Sequence, residues 1–336
     1  MKLTSNPSHT SQTSQSSQSS QTSQTSRASR ASISRKSSNP SISRNSRISS
    51  PSSQAIKIFF LFTSALLLSC GPQPSALSPQ PSTTLLVLHT SDTLSCIEPD
   101  VSSNTGGYVR RAALIDSLRT HVDADLLLLD CGDYSQGSLY YNLFKGEAEI
   151  RLMNAMHYDA ATIGNHEFDF GEDNMLRLFQ MAAFPTVCCN YDVSATVLRD
   201  AVVPYTVITR KGIRIGILGV SPPMEGLVAE KNCEGIRYLD PIAEANRIVP
   251  ILRGRERCDV VICLSHLGWQ VEGLIDDVEF IAGTRGIDLV LGGHTHSYFD
   301  APLRYPNLDG DSIPLMHNGK NAAHVGRYTI TVTPQH

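Results

Sequence analysis

Five apolar runs in the C-terminal three-quarters of this chain each end in a short polar cluster, and this repeat constrains the fold more than any other feature. Stretches with the spacing of amphipathic helices separate the runs. An alternation of strands and helices predicts parallel strands covered by helices, and therefore an α/β fold. The polar clusters are Thr90-Ser91-Asp92, Cys131-Gly132-Asp133, Gly164-Asn165-His166-Glu167, Ser265-His266 and Gly292-Gly293-His294-Thr295-His296.

Apolar periodicity places the individual elements. The predicted strands are Leu85–His89, Leu126–Asp130, Ala160–Ile163, Thr186–Asn190, Tyr205–Thr209, Ile213–Gly219, Val260–Leu264, Leu289–Leu291 and Tyr328–Val332. The predicted helices are Val109–Leu118, Glu147–Met156, Asp173–Ala183, Pro241–Leu252 and Val271–Ala282. The short link between Thr209 and Ile213 indicates a hairpin, so we expect some antiparallel pairing.

Charge is distributed unevenly along the chain. Residues 1–57 contain eight basic residues and no acidic one, whereas residues 71–336 contain 20 basic and 32 acidic residues, a net charge of −12. A body this acidic repels polyanions, which excludes a nucleic-acid-binding surface. Any phosphate chemistry would therefore need a local positive centre, such as bound cations.

The first part of the chain differs from the rest. Residues 1–55 are nearly half serine and cannot bury enough apolar surface to offset chain entropy, so we predict a low-complexity disordered segment. Residues 56–70 combine Lys57, an apolar run too short to span a bilayer, and Leu67-Leu68-Ser69-Cys70, which resembles a bacterial lipobox. We expect a lipoprotein-type signal peptide with lipidation at Cys70, the alternative being an ordinary secretory signal.

This interpretation predicts a location in the cell envelope, either lipid-anchored at a membrane or periplasmic or extracellular. Residues 71–83 are predicted to form a tether, and residues 84–336 the folded domain. Seven cysteines follow Cys70 with irregular spacing, which does not suggest a full disulfide framework. Several lie in or beside apolar runs and are expected to pack in the core.

Ligands in open α/β sheets bind at the carboxyl ends of the strands, where these polar clusters lie. Two carboxylates, one amide oxygen and three imidazoles would then meet at one edge, a mixed set of oxygen and nitrogen donors that suits divalent transition metals. Each residue alone has an ordinary structural explanation, and the conjunction of all of them carries the prediction. The candidate metal ligands are Asp92, Asp133, Asn165, His266, His294 and His296.

The order of these clusters resembles that of the calcineurin-like metallophosphoesterases, and more narrowly the catalytic domain of the 5′-nucleotidase group. The narrower resemblance rests on His89-Thr-Ser-Asp92-Thr, Gly106-Gly107 with Arg110-Arg111, Asp133-Tyr-Ser-Gln136-Gly137, Gly164-Asn-His-Glu-Phe-Asp-Phe-Gly171, Leu264-Ser-His-Leu-Gly268 and Gly292-Gly-His-Thr-His296. It spans roughly residues 85–332.

The resemblance implies a four-layer α/β/β/α sandwich with mixed sheets and two divalent metal ions, whose identity among Mn, Zn, Fe, Co and Mg stays open. By the same resemblance, Asp92 and His296 hold the first ion, Asn165, His266 and His294 hold the second, and Asp133 bridges them. His166 would protonate the leaving group or stabilise the transition state. Asp169 would orient His166, the alternative being that Asp169 caps the following helix.

Two departures from the family pattern matter. The family's opening Asp-x-His motif reads Asp92-Thr93-Leu94 here, so the first metal site loses an imidazole. Ser95, Cys96 and Glu98 are the nearby groups that could compensate. The family's usual C-terminal nucleotide-binding domain is not recognised in this sequence, and we expect either that a separate polypeptide supplies it or that the substrate needs no such clamp.

The resemblance implies a metal-dependent phosphomonoesterase that acts on nucleoside 5′-monophosphates. A phosphodiesterase or nucleotide-sugar hydrolase with the same core is the first alternative. A degenerate, non-catalytic module that works with a partner is the second. The expected small-molecule partner is a phosphate ester, and no nucleic acid is expected.

Overall fold

The computed structural model of the protein describes residues 82–122 and 124–332. The predictions made for residues 1–55, for 56–70 with Cys70, and for 71–81 of the tether lie outside the described residues. Within the described part the helices and strands follow in the order β1 (Thr83–Thr90), α1 (Tyr108–His121), β2 (Asp125–Asp130), α2 (Leu139–Phe144), α3 (Glu147–Ala155), β3 (Ala160–Ala161), α4 (Glu172–Met181), β4 (Thr186–Val187), β5 (Tyr191–Asp192), β6 (Val202–Val203), β7 (Tyr205–Arg210), β8 (Ile213–Val220), β9 (Arg237–Tyr238), α5 (Pro241–Pro250), β10 (Val260–Ser265), α6 (Asp277–Gly283), β11 (Leu289–Gly292), β12 (Leu303–Pro306), β13 (Ser312–His317) and β14 (Gly326–Val332).

Two six-stranded mixed sheets form the centre of the fold. The first has the order β14-β1-β2-β3-β4-β6, in which only β14 runs antiparallel to its neighbour. The second has the order β12-β13-β11-β10-β8-β7, with parallel pairing in the middle and antiparallel pairing at both edges. Parallel pairing places the carboxyl ends of β1, β2 and β3 together, and likewise those of β8, β10 and β11.

Three apolar cores define four layers. The two sheets pack face to face through alternate residues of their strands. Examples are Val87 and Leu129 of the first sheet and Ile217 and Ile262 of the second. The other face of the first sheet packs against helices through residues such as Ile115 of α1, and that of the second sheet packs against α5 and α6. The predicted α/β/β/α sandwich with mixed sheets is therefore confirmed.

Local sequence explains where the elements begin and end. The hairpin predicted between Thr209 and Ile213 joins β7 to β8, and its two central residues, Lys211 and Gly212, both have positive φ as a tight hairpin requires. Asp240 caps α5 by accepting a hydrogen bond from the Ala243 N–H, and Pro241 fills the first helical position.

Several predicted elements were too long, and two of them show a physical reason. The helix predicted from Val271 begins only at Asp277, because the Asp276 side chain accepts hydrogen bonds from the N–H groups of Val278 and Glu279 and caps α6 there. The strand predicted to reach Asn190 ends at Val187, and the Asn190 amide instead bonds Ser221. No helix in the described part of the chain is both long and apolar enough to cross a membrane.

Candidate metal centre

The five polar clusters converge at the carboxyl ends of β1, β2, β3, β10 and β11. His266 Nε2 lies 3.1 Å from Asp133 Oδ2, and the rings of His266 and His294 are 5.2 Å apart. The His294 N–H donates to the Asp92 carboxylate at 3.0 and 3.1 Å. The structure thus brings together side chains that are up to about 200 positions apart in sequence.

Four residues form what we call the inner half of the centre: Asp133, Asn165, His266 and His294. One ligand atom from each of Asp133, His266 and His294 lies within 4.8 Å of the others. Asn165 stands between Gly164 and His166, whose backbones both lie against the Asp133 carboxylate. Asp133, Asn165 and His266 are buried, and His294 is half-buried.

The inner half fits a divalent cation on its own geometry. His266 Nδ1 lies 2.6 Å from the Cys131 carbonyl, to which it must donate, so Nε2 is the ring nitrogen that can bind a cation once its proton has left. Nε2 is buried near Asp133 without the alignment of a hydrogen bond, and the buried Oδ1 of Asn165 has no hydrogen-bond partner either. A cation bound by these two atoms would satisfy both of them.

Asp92 and His296 form the outer half, next to Leu94. His296 Nε2 lies 3.6 Å from Asp92 Oδ1, and the His296 side chain is 35% exposed. The half-buried Leu94 offers no ligand atom, although its N–H donates to the Asp133 carbonyl at 3.0 Å. The outer half is therefore looser than the inner half.

The nearby groups that could replace an imidazole at Leu94 have other partners. Ser95 Oγ accepts a hydrogen bond from the Gln136 N–H, and Glu98 accepts one from the Tyr140 hydroxyl. Among the described residues, neither Cys96 nor Glu98 joins a cluster of side chains able to hold a metal. The structure therefore gives no substitute ligand for the outer half.

Strained backbone holds four of the six candidate ligands. Asp92, Asp133, His294 and His296 have φ of 46°, 54°, 71° and 57°. Such left-handed conformations cost non-glycine residues roughly 1 kcal/mol or more each and cluster at functional sites. The strain is consistent with loops that are shaped to direct these side chains toward one point.

Two glycines of the centre lie in close contact with candidate ligands. A Cβ at Gly164 would lie 2.1 Å from Asp133 Oδ1, and one at Gly293 would lie 3.0 Å from both Asp92 Oδ2 and His266 Nδ1. A larger residue at Gly164 would displace Asp133, so contact requires glycine there, whereas at Gly293 the neighbouring side chains would have to shift slightly.

Burial and neighbouring charge set the protonation of the metal-free site. Burial raises the pKa of Asp92 to about 6. Burial alone would lower the pKa of His266, but Asp133 and Asp92 raise it to about 10. Burial and the charge of His266 lower the pKa of His294 to about 4. Without a cation, a proton on His266 therefore balances the carboxylates, and a bound divalent cation would replace that charge.

His166 and Asp169 lie beside the inner half. His166 Nδ1 is 3.3 Å from Asp169 Oδ2, and the His166 N–H donates to Asp133 Oδ1 at 2.8 Å. The N-cap residue of α4 is Gly171, and it makes no side-chain capping hydrogen bond. Asp169 is therefore not the N-cap of that helix. The geometry instead pairs Asp169 with the imidazole.

Sequence reasoning gave no role to several buried polar residues beneath the ligands. Glu167 accepts hydrogen bonds from the N–H groups of Gly164 and Asp133 at 2.6 and 2.9 Å, and burial raises its pKa to about 8. Asp277 accepts from Ser265 and His317 behind His266. Glu167 lies within a quoted motif, where no pattern distinguished it from a ligand, and Asp277 lies outside all of the motifs.

Two residues near the centre, Trp269 and Lys320, have different surroundings. Trp269 packs edge-on against Phe299, and its Nε1 donates to the Tyr305 hydroxyl, so it belongs to the core. Lys320 is exposed and lies near the outer half, where its charge adds to the effect of burial and lowers the pKa of His296.

All seven cysteines of the described part are free thiols, and Cys131, Cys188, Cys189 and Cys263 are buried.

Comparison with known proteins gives consistent matches. The chain is 26% identical over 300 residues to an NAD 5′-nucleotidase of Haemophilus influenzae, which covers 82% of this chain and 48% of that protein. It is 30% identical over 261 residues to a snake venom 5′-nucleotidase of Crotalus adamanteus, covering 69% of this chain and 42% of that protein. A 5′-nucleotidase precursor from Thermus thermophilus superposes with a TM-score of 0.68 at 29% identity, covering 74% of this chain and 51% of that one.

The chain thus spans about half the length of these relatives. A family model described as calcineurin-like phosphoesterase matches residues 85–298. That stretch contains all six candidate ligands together with His166 and Asp169. The resemblance identified from the motifs is confirmed, and with it the hydrolase class of the family. The chain belongs to the calcineurin-like phosphoesterase family.

Proposed function

We propose that this protein is a metal-dependent phosphomonoesterase that hydrolyses nucleoside 5′-monophosphates outside the cytoplasm. The observation that carries the proposal is the inner half, where buried donor atoms without hydrogen-bond partners point to one place. The names of the relatives, 5′-nucleotidase and NAD 5′-nucleotidase, support a nucleotide substrate.

In this proposal Asn165, His266 and His294 would hold one ion, Asp92 and His296 would hold a second, and Asp133 would serve both. Divalent ions, when bound, neutralise the charge of a phosphoryl group and favour its attack by water. The protein supplies the fixed loops and the dry surroundings that hold the donors in place.

His166 would deliver the proton that the leaving alkoxide needs. Its Nδ1 is directed at Asp169, which leaves Nε2 to carry the proton toward the substrate. The His166 side chain is about one quarter exposed, so this nitrogen can be reached from the open side of the centre.

Two alternatives share the same residues. The similarity to an NAD 5′-nucleotidase favours a phosphodiester or nucleotide-sugar substrate as the second candidate. Leu94 favours a non-catalytic metal-binding module, which would work with a separate polypeptide that supplies a nucleotide-binding domain. Phosphate release from AMP measures phosphomonoesterase activity, and chromatography of the nucleoside monophosphates formed from NAD and from a cyclic nucleotide measures the alternative, both in the presence of Mn²⁺.

In that assay we expect AMP to be the best substrate and His266→Ala to abolish the activity. His121→Ala, which changes an exposed histidine at the end of α1, is the matched control. AMP hydrolysis no faster with the wild type than with His266→Ala would contradict the proposal.

The proposed location rests on the sequence of residues 56–70. Cys70 would be lipidated, and the anchored protein would face out of the cytoplasm. Metabolic labelling with a palmitate analogue should mark the wild type and spare Cys70→Ala, while equal labelling of both would exclude the anchor.

A further inference from the structure

An exposed aromatic pair lies at the rim of the outer half. The rings of Tyr298 and His324 stack with centroids 4.3 Å apart and an angle of 29° between their planes. Tyr298 is 50% exposed, and His324 is exposed as well. We call these two residues the rim pair.

The rim pair is tied to the metal ligands by backbone contacts. Tyr298 is two residues beyond His296 and pairs as an isolated bridge with Asn318. Asn318 Oδ1 accepts a hydrogen bond from the Ser91 hydroxyl at 2.9 Å, and the Asn321 N–H donates to the Asp92 carbonyl at 2.8 Å. The segment that carries His324 is therefore fastened to the strand end that carries Asp92.

The stack is not needed to hold that segment. The hydrogen bonds of Asn318 and Asn321 anchor it already, and a further bond joins the Gly319 N–H to the Ser297 carbonyl at 2.8 Å. The two stacked rings expose apolar surface to solvent, and the packing of the segment does not require them to do so. A flat ligand group that stacks on them would cover that surface.

Charge around the rim pair orients such a ligand. The Asp300 carboxylate interacts with the Tyr298 hydroxyl, so this end of the ring disfavours a phosphate. Lys320 lies between Asn318 and Asn321 in the anchored segment, on the side of His296, and offers an ammonium group to an anion.

We infer that the rim pair stacks against the nucleobase of the substrate while Lys320 contacts its phosphate. This inference rests on the proposed function and deepens it, because it assigns base recognition to residues of this chain. An aromatic side chain stacks on the face of any base. We therefore expect both adenine and guanine nucleotides to be accepted.

The test compares AMP with glycerol 2-phosphate, a phosphate ester that has no ring, in the metal-loaded full chain. In Tyr298→Ala we expect the preference for AMP, measured as the ratio of the two kcat/KM values, to fall about tenfold, mainly through a higher KM for AMP. Tyr298→Phe keeps the ring and should retain the ratio. Lys320→Ala should lower kcat/KM for both substrates and leave the ratio within about twofold.

Leu308→Ala is the matched control, since it removes an exposed apolar side chain from the turn between β12 and β13. Thermal unfolding of each variant checks that the fold is retained. An unchanged ratio in Tyr298→Ala, or a wild type that hydrolyses both esters equally well, would overturn the inference and leave the phosphomonoesterase proposal standing.

Binding provides a second measurement that does not depend on turnover. Calorimetry with the non-hydrolysable phosphonate analogue of AMP should give a Kd about tenfold weaker for Tyr298→Ala than for Tyr298→Phe. If the wild type released phosphate from no ester, the proposed function would fail, and this difference in Kd would still support base stacking. Equal Kd values, or no binding by the wild type, would overturn it.

Discussion

The inner and outer halves of the metal centre differ in how firmly the fold holds their donor atoms. In the inner half, His266 is fully buried and its ring is fixed by the Cys131 carbonyl. In the outer half, His296 is partly exposed, and Leu94 stands where the family pattern has a ligand. The fold therefore holds the side chains of the inner half more firmly than those of the outer half.

The largest expected effect comes from breaking the inner half. His266→Ala removes a ligand and leaves the Asp133 carboxylate buried without its partner, so we expect kcat for AMP to fall about 10³-fold, since ions at such centres contribute several kcal/mol to catalysis. Phosphate release measures the loss, and metal analysis should show the tighter ion missing. Retention of both ions in this variant would contradict the assignment of the inner half.

The next effect separates proton donation from metal binding. Asp169→Asn should lower kcat for AMP about 10²-fold without loss of bound metal, because general acid catalysis typically contributes 10²–10⁴ and Asp169 contacts His166, not a ligand. Hydrolysis of p-nitrophenyl phosphate, whose leaving group needs no proton, should be affected much less. An equal loss with both substrates would show that Asp169 does not act through a proton donor.

A third prediction concerns the strand beneath the outer half. His89 of β1 is fully buried with both ring nitrogens lacking hydrogen-bond partners, and burial, reinforced by the charge of His317, lowers its pKa to about 3. The unfolded chain takes up this proton near pH 6.5 and the folded protein does not. Stability is therefore complete above pH 6.5 and is lost as the pH falls toward 3.

This linkage amounts to about 2 kcal/mol of unfolding free energy between pH 7 and pH 5. Denaturant unfolding at the two pH values measures it, and His89→Phe, which cannot titrate, should remove that part of the dependence. The same pH dependence in His89→Phe and in the wild type would mean that His89 is already protonated in the fold.

The smallest effect repairs the outer half. Leu94→His should strengthen the weaker metal site at least about tenfold, because even residues that only support metal ligands change affinity 10–100-fold. Leu94→Phe, similar in size but unable to ligate, is the matched control. Mn²⁺ titration measures the affinity, and no difference between the two variants would show that position 94 does not reach the metal.

The sequence allowed the strands and their order at the site to be predicted because buried parallel strands are apolar runs that end in polar loops. Leu126–Asp130 and Val260–Leu264 differ from the observed strands by one residue at one end. Short elements such as β5 and β9 pair only through tertiary contacts, so no local periodicity marks them. The start of α6 at Asp277 depends on a capping bond that the apolar spacing does not reveal.

The sequence predicted which residues would meet at one edge, but it did not predict their geometry, and their role as metal ligands stays a prediction. The order of Asp92, Asp133, Asn165, His266, His294 and His296 pointed to one sheet edge, and the structure brings them there. Contacts between distant loops determine the left-handed backbone of four of these residues and the hydrogen bonds that Glu167 accepts. The same contacts make the inner half firmer than the outer half. Such contacts leave no signal in a single sequence.

The central claim is that the two halves bind divalent cations with unequal strength, and calorimetric titration of the metal-free full chain with Mn²⁺ tests it most directly. The account predicts two steps, a tight one that His266→Ala removes and a weaker one that His296→Ala removes. A wild type that shows no saturable Mn²⁺ binding would contradict the account, as would two steps of equal affinity.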